Sequence, residues 1–198
     1  MALDNYANLL TSVVTWAMRT GDTEFAAAVP DMVTLLEGAL NNGLEANPVM
    51  PIGISPLRVR EMEAVDSITL TDGEGTLPAD YLEFRTIRYG AHESDLHSAD
   101  FEIVGNTIKV SRREASPLAL GYYAKLPPLA QNDPNWLLEK APNVYLFGTL
   151  LFAAPFMMDD MRMATWGQLF QSAVNGLVGS DMRSKYARAN ARVKGPTP

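Results

Sequence analysis

The ten residues 101–110 read FEIVGNTIKV, which is two runs joined by Gly105-Asn106 in which apolar and polar side chains alternate except at Val104. Alternation with a period of two predicts β-strands, because successive side chains of a strand point to opposite faces. A two-residue, glycine-containing connection between such runs is typical of a tight hairpin. This stretch therefore predicts antiparallel sheet in the middle of the chain.

Further strand signals surround this hairpin. Four other segments predict strands: residues 57–62, 67–71, 84–89 and 118–124. Asp72-Gly73 follows one of them and forms a second hairpin-type turn. We expect residues 56–125 to form one small antiparallel sheet of about four to six strands.

Helical periodicity begins before this sheet. A first helix, capped by Asp4 or Asn5, carries an apolar stripe at helical spacing: Leu9, Val13, Trp16 and Ala17. Asp22 caps a second segment, in which Pro30 either kinks the helix or begins a fresh one. The two segments predict a pair of helices ahead of the sheet.

Helical signals return after the sheet. A short helix is predicted with Asn132 or Asp133 as its cap and Pro134 as its first residue, and Pro142 opens a longer one. A last helix, capped by Asp159 or Asp160, has an apolar stripe: Trp166, Phe170, Ala173 and Leu177. Gly176 and Gly179 are expected to weaken its end. Trp16, Trp136 and Trp166 are all expected in the core.

The order of these elements predicts an α+β fold, mainly a helical bundle with an inserted small antiparallel β-domain and an extended C-terminal tail. Residues 1–55 and 126–184 form the bundle, and residues 56–125 the inserted β-domain. Residues 185–198 form a flexible basic C-terminal tail, since they hold few large apolar side chains.

The composition offers little chemistry. The 198 residues include no cysteine and only two histidines, and no phosphate-binding loop is found. A metal site could use only carboxylates and these histidines. The candidate ligands are Asp159-Asp160 and the group formed by Asp95, His97 and Asp100. Asp159 and Asp160 are better explained as helix caps, and the histidines as solvated loop residues. We expect no enzyme, no catalytic, cofactor-binding or metal site, and no cofactor.

The charge is unevenly distributed. The net charge is −7, yet no acidic residue follows Asp181, so residues 183–198 carry +5 and residues 1–182 carry −12. A basic end on an acidic body suggests docking on something acidic, either nucleic acid or an acidic protein groove, or else a solvated tail without a partner. No apolar run is long enough for a bilayer, and the first residues lack the features of a signal peptide, so no membrane association is expected.

Several short strings occur in a particular order along nearly the whole chain. They are Ala2-Leu3-x-Asn5-Tyr6-Ala7-x-Leu9, Leu77-Pro78-Ala79-Asp80-Tyr81-Leu82-Glu83-x-Arg85, Tyr122-Tyr123-Ala124-Lys125-Leu126-Pro127, Asn135-Trp136-Leu137-Leu138-x-x-Ala141-Pro142, Tyr145-Leu146-Phe147-Gly148-x-Leu150 and Ala153-Ala154-Pro155-Phe156-x-x-Asp159-Asp160. As an ordered set they resemble the head–tail adaptor (connector, or tail accessory factor) family of tailed bacteriophages. Each string alone is short and structural, so the order carries the resemblance.

The resemblance implies a structural protein of the virion neck, between capsid and tail, made in the host cytoplasm during assembly. Its partners would be the portal protein, neighbouring adaptor subunits in a ring of about twelve copies, and a downstream tail or nozzle protein. Genomic DNA would pass through during ejection without sequence-specific binding. The C-terminal segment would contact the portal through six residues: Arg183, Lys185, Tyr186, Arg188, Arg192 and Lys194. A lone subunit should be monomeric or self-associate only weakly.

Two other functions remain open at this point. One is a tail-associated hydrolase of the cell envelope (peptidoglycan), which lacks an identifiable acid–base pair in the sequence. The other is a nucleic-acid-binding module that uses the basic tail, although the acidic body would repel a duplex.

Overall fold

The structure is a computed structural model that describes residues 3–89, 94–95, 100–111, 117–158 and 160–186. The chain divides into two compact units, Met1–Val59 with Leu126–Pro198, and Arg60–Lys125. Helices make up the first unit and antiparallel strands the second. The α+β class predicted from the sequence is therefore confirmed.

The helical unit contains five described helices. They are α1 (Tyr6–Trp16), α2 (Thr23–Asn42), α3 (Trp136–Lys140), α4 (Pro142–Met157) and α5 (Asp160–Tyr186). Asn5 caps α1 by accepting the Asn8 N–H at 2.8 Å, and Asp22 caps α2 by accepting the Phe25 N–H at 2.9 Å. These caps confirm the predicted starts of both helices, since a side-chain oxygen replaces the missing intrahelical acceptor.

Two helical predictions need correction. Pro30 lies inside one continuous α2, so it does not begin a fresh helix. Pro134 precedes α3 through a cis peptide, and the cap is Asn135, which accepts the Leu138 N–H at 3.0 Å. Helix α5 runs through Gly176 and Gly179 to Tyr186, and whether the two glycines weaken its end stays a prediction. A helical glycine costs only about 1 kcal/mol, which the burial of apolar side chains such as Leu177 can outweigh.

Helix α4 lies between α2 and α5. A Cβ atom on Gly148 of α4 would lie 2.6 Å from Leu36 Cδ1 on α2 and 3.1 Å from Phe170 Cε2 on α5. Only a residue without a side chain permits this close approach. The apolar stripes of the helices meet at this contact. Their buried side chains include Leu9, Val13, Val33, Leu36, Leu40, Leu146, Leu150 and Phe170.

The second unit contains seven described strands in two sheets rather than the single predicted sheet. The strands are β1 (Glu63–Ile68), β2 (Glu74–Thr76), β3 (Tyr81–Tyr89), β4 (Ser94–Asp95), β5 (Phe101–Val104), β6 (Thr107–Val110) and β7 (Leu118–Ala124). One sheet has the order β1-β7-β3-β4 and the other β2-β6-β5. The strand predicted at residues 57–62 is wrong, because Arg60–Met62 forms a short 3-10 turn.

The hairpin predicted from residues 101–110 is confirmed. Strands β5 and β6 pair antiparallel with Ile103 opposite Ile108, and Gly105 adopts a positive φ of 60° in the turn. Asp72 (φ 53°) and Gly73 (φ 85°) form the other predicted tight turn, which leads into β2. The two sheets share one apolar core: Ile68, Leu77, Ile87, Ile108, Val110, Leu118, Leu120 and Tyr122. None of the helices that the structure describes is both long and apolar enough to span a membrane.

Candidate docking surfaces

The last turn of α2 holds the segment that leads toward the β-rich unit. The backbone N–H of Leu57 donates to the Leu40 carbonyl at 2.7 Å, and Arg58 Nη1 donates to the Asn41 carbonyl at 3.0 Å. These carbonyls belong to the end of the helix, where intrahelical donors are missing. The outgoing segment therefore supplies the hydrogen bonds that complete α2.

The same part of α2 holds the returning segment. Asn41 Oδ1 accepts the Leu126 N–H at 2.8 Å, and Glu37 Oε1 accepts the Leu129 N–H at 2.7 Å. Positions 37 and 41 lie one turn apart on the same face of the helix. Both connections to the inserted unit are thus fixed to one short stretch of α2, which we call the α2 anchor (Glu37, Leu40 and Asn41).

Glu37 also joins a buried polar cluster. The Tyr145 hydroxyl donates to Glu37 Oε1 at 2.9 Å, and Asn135 Nδ2 donates to the Tyr145 oxygen at 2.7 Å. Burial raises the pKa of Glu37, against the opposing effect of the hydrogen bonds it accepts. Burial and the Glu37 charge also raise the pKa of Tyr145. This buried cluster holds the backbone of the returning segment and the start of α3 in place.

Glu37 was not predicted from the sequence as a buried residue. The available signal was an acidic residue among the buried stripe of α2, since Val33, Leu36 and Leu40 are apolar and Glu37 lies on the same face. An acid in that position is rarely left without partners.

The basic end of the chain begins on α5. Arg183 and Lys185 are exposed in its last turn, where cations complement the partial negative charge of the helix C-terminus. Lys185 Nζ lies 3.0 Å from Oδ2 of the buried Asp181. Tyr186 is the last residue of α5, so the first two residues of the predicted flexible tail are helical. The other three predicted portal-binding residues, Arg188, Arg192 and Lys194, lie outside the described residues.

Large apolar side chains are exposed where α1 and α4 end. Trp16, Met18, Phe156 and Met158 have exposed fractions of 52%, 83%, 54% and 90%. The prediction that Trp16 is a core residue is wrong: its ring packs edge-on against Phe147 at 5.7 Å but half of it remains exposed. By contrast, Trp166 is buried as predicted, and Trp136 is half-buried.

Helix α5 also borders an apolar groove. Its wall opposite α5 is formed by Pro51 and Ile52, and its volume is about 690 Å³. Gly167 of α5 contacts Ile52 where a side chain would collide with it, and Gln171 Nε2 donates to the Gly53 carbonyl at 3.3 Å. The α5 side of the groove is lined by Met163, Ala164, Gly167, Gln168, Gln171, Ser172 and Asn175. We call this the α5 groove.

Neither of the two metal groups considered from the sequence can be assessed in full, because Asp159 and His97 lie outside the described residues. Across the part of the chain that the structure describes, no group of three or more histidine, aspartate or glutamate side chains could hold a metal ion.

The chain matches a known protein family. The model of a family described as the SU10 adaptor protein matches residues 4–194, nearly the whole chain. No curated protein matches the chain.

Proposed function

The chain belongs to the SU10 adaptor protein family of phage head–tail adaptors, and from this membership we propose that it forms a ring beneath the portal of the capsid. Membership makes the protein a component of the virion that associates with portal and tail proteins, and favours a structural, non-enzymatic role. In the proposed ring, about twelve copies extend the DNA channel. Its distal face is the docking platform for a tail or nozzle protein.

The charge of the C-terminal segment supports a portal contact. All five bases after Asp181 lie in a stretch without acids, while the rest of the chain carries 11 bases and 23 acids. A strongly basic segment on an acidic body is suited to an acidic groove on a partner, because opposite charges steer the encounter and fix its register. We assign this contact to Arg183, Lys185, Tyr186, Arg188, Arg192 and Lys194.

The spacing of these bases supports recognition by a helix. Arg183 and Lys185 lie in the last turn of α5. Lys185, Arg188 and Arg192 are separated by three and four residues, so a continuation of α5 on the portal would place them on one face. A segment that folds on binding becomes ordered only when its partner is present.

A truncation after Tyr186 tests the contact. Removing residues 187–198 leaves α5 and the Lys185–Asp181 ion pair in place, so the body should remain folded. The truncated protein should co-sediment with portal much less than the full chain, because only three of the six contact residues remain, while its thermal unfolding stays that of the full chain. Full portal binding by the truncated protein would exclude Arg188, Arg192 and Lys194 from the contact.

A charge variant separates electrostatics from length. The triple variant Arg188→Gln, Arg192→Gln, Lys194→Gln should weaken portal binding and reduce its salt dependence, because exposed charges are screened by salt. Lys125→Gln removes one exposed base of the β-rich unit and serves as the matched control. Retention of DNA by the full chain but not by the charge variant would instead favour the nucleic-acid-binding alternative.

The acidic body supports the proposed channel. Basic linings bind phosphate and would slow the passage of DNA, whereas an acidic or neutral lining would not. A map of the assembled ring should therefore have mostly Asp, Glu and neutral side chains along the bore. A continuous Lys/Arg lining would contradict the proposal that DNA passes without binding.

A further inference from the structure

A pocket opens beside the buried carboxylate of Glu37. It lies between α2 and the returning segment, has a volume of about 380 Å³, and is also lined by Tyr6 of α1. Thr34 on α2 and Gln131 on the returning segment are exposed at its mouth. All of these residues belong to the helical unit. The pocket is large enough to take one flexible side chain from outside.

One oxygen of Glu37 has no partner. Oε1 accepts the Leu129 N–H at 2.7 Å and the Tyr145 hydroxyl at 2.9 Å, whereas Oε2 makes no hydrogen bond or ion pair with any residue that the structure describes. Oε2 is not fully enclosed either, although the whole residue is only 7% exposed. Because Glu37 lines the pocket, this oxygen is accessible to a group that enters it.

The surroundings of the pocket are acidic. Burial raises the pKa of Tyr6, and the charges of Glu37 and Asp31 raise it further, so both carboxylates lie near its hydroxyl. Asp133 Oδ1 accepts the backbone N–H of Tyr6 at 2.7 Å, which brings a third carboxylate to this end of α1. No lysine, arginine or histidine is among the described residues that line the pocket. The pocket therefore favours a cation.

A buried carboxylate normally has a counter-charge, because taking an ionised group out of water costs free energy. Burial raises the pKa of Glu37, the direction expected when hydrogen bonds compensate only in part and no cation does. A neutral donor could satisfy Oε2 but not its charge, whereas an ammonium or guanidinium group supplies both donor and charge. A metal ion needs several such ligands, and the described residues contain no group of three.

We propose that this pocket binds one basic side chain, an arginine or a lysine, of another protein chain, with Glu37 Oε2 as its acceptor. Asp31 and Asp133 attract the base toward the mouth, since opposite charges steer an encounter. The cation site itself does not depend on the proposed function, but a base donated by an assembly partner rests on it. The portal protein, a tail protein and a neighbouring copy can each present this group.

Methylguanidinium tests the cation site, and methylurea is its neutral control of the same shape. In a ¹H–¹⁵N NMR titration of the full-length protein, methylguanidinium should shift the Leu129 amide with a Kd of about 1–10 mM, since so small a ligand binds weakly. Methylurea should bind about tenfold more weakly or worse. Glu37→Gln keeps an acceptor for the Leu129 N–H and should bind methylguanidinium as weakly as the natural chain binds methylurea. Equal affinity in all three titrations overturns the site.

An internal lysine tests whether Glu37 is the acceptor. Thr34 is exposed one turn before Glu37 on α2, so the ammonium group of Thr34→Lys can reach the carboxylate. This variant should melt at a higher temperature and lose methylguanidinium binding, and the stabilisation should disappear in the Glu37→Gln background. Thr11→Lys on α1 is the matched control, because both threonines are exposed and donate to the carbonyl four residues earlier. Unaltered methylguanidinium binding by Thr34→Lys contradicts the assignment.

Binding assays with the assembly partners identify the source of the base. Thr34→Lys fills the pocket, so it should weaken co-sedimentation with portal, binding to the tail protein or self-association by about tenfold or more, and the assay that it weakens names the source. Unchanged binding in all three overturns the proposal that a partner's base occupies the pocket. If the natural chain itself binds neither portal nor tail protein, the proposed function is wrong, while the methylguanidinium titration still decides the cation site.

Discussion

Glu37 and Asn41 lie one turn apart on α2, and each accepts a backbone N–H from the segment that returns from the β-rich unit. The donors are Leu129 at 2.7 Å from Glu37 Oε1 and Leu126 at 2.8 Å from Asn41 Oδ1. Buried backbone donors need acceptors, and this segment has no sheet or helix partner to provide them. Two side chains of one helix therefore decide the path of the chain here.

Replacing Glu37 should destabilise the helical unit. Glu37→Ala leaves both the Leu129 N–H and the Tyr145 hydroxyl without their acceptor, at a cost of about 2–4 kcal/mol for the two buried donors. Glu37→Gln keeps an acceptor oxygen and should cost less than half as much. Urea unfolding of the three proteins measures both values; equal losses for the two variants would show that the hydrogen bonds do not matter.

The pH dependence of stability should also report on Glu37. Burial raises its pKa in the folded protein above the ordinary value of 4.5, so the folded state binds a proton more tightly than the unfolded state. Glu37 then favours folding most at pH values below 4.5, and this contribution is lost as the pH rises through the raised pKa. The unfolding free energy of the natural chain minus that of Glu37→Gln should therefore fall between pH 4 and pH 7. A difference that rises over this range would reverse the assigned direction.

Glycines on α4 and α5 should respond to alanine in opposite ways. A Cβ at Gly148 would collide with both Leu36 methyl groups, at 2.6 and 2.7 Å, so Gly148→Ala should lose about 1–2 kcal/mol after the gain in helix propensity. Gly176 has no atom within 4 Å of such a Cβ, and Gly176→Ala should gain up to about 1 kcal/mol. Thermal unfolding of the two variants distinguishes these signs; stabilisation by both would mean that α4 packs less closely on α2 than described.

Tyr122 should titrate late. Burial, together with its hydrogen bond to the Asp80 carboxylate at 3.0 Å, raises the pKa of Tyr122 to about 12. The folded state keeps this proton longer than the unfolded state, so stability should fall as the pH rises from 10 toward 12. Tyr122→Phe should make that fall shallower and remove one late-titrating tyrosine from the ultraviolet titration. An unchanged titration in the variant would place Tyr122 in a solvated environment.

Local patterns predicted the elements whose hydrogen bonds are also local. Residues 101–110 contain both strands and the turn of their hairpin, and the structure has all three where the sequence placed them. Asn5 and Asp22 likewise cap helices through N–H groups three residues away. In such cases neighbouring residues contain nearly all the information that determines where the element begins and ends.

Features that depend on distant partners were missed. Strand β2 pairs with β6, more than thirty residues further along, and this pairing creates a second sheet that no local pattern indicates. The apolar spacing of Trp16 is that of a core residue, yet its side chain lies at the rim, where packing on Phe147 covers only part of it. The candidate surfaces required the structure for the same reason, since Ile52 and Gly167 form one groove from separate parts of the chain.

The α2 anchor also bears on how such a protein can change over evolutionary time. Asn41 is hydrogen-bonded to Arg58 on the outgoing segment and to Leu126 on the returning one, so the two ends of the inserted unit start from nearly the same point. An insertion whose ends are already close imposes little additional loop-closure entropy on its host. Residues Arg60–Lys125 form a compact unit of their own, so a different unit with equally close ends could occupy the same junction while the helices keep their packing.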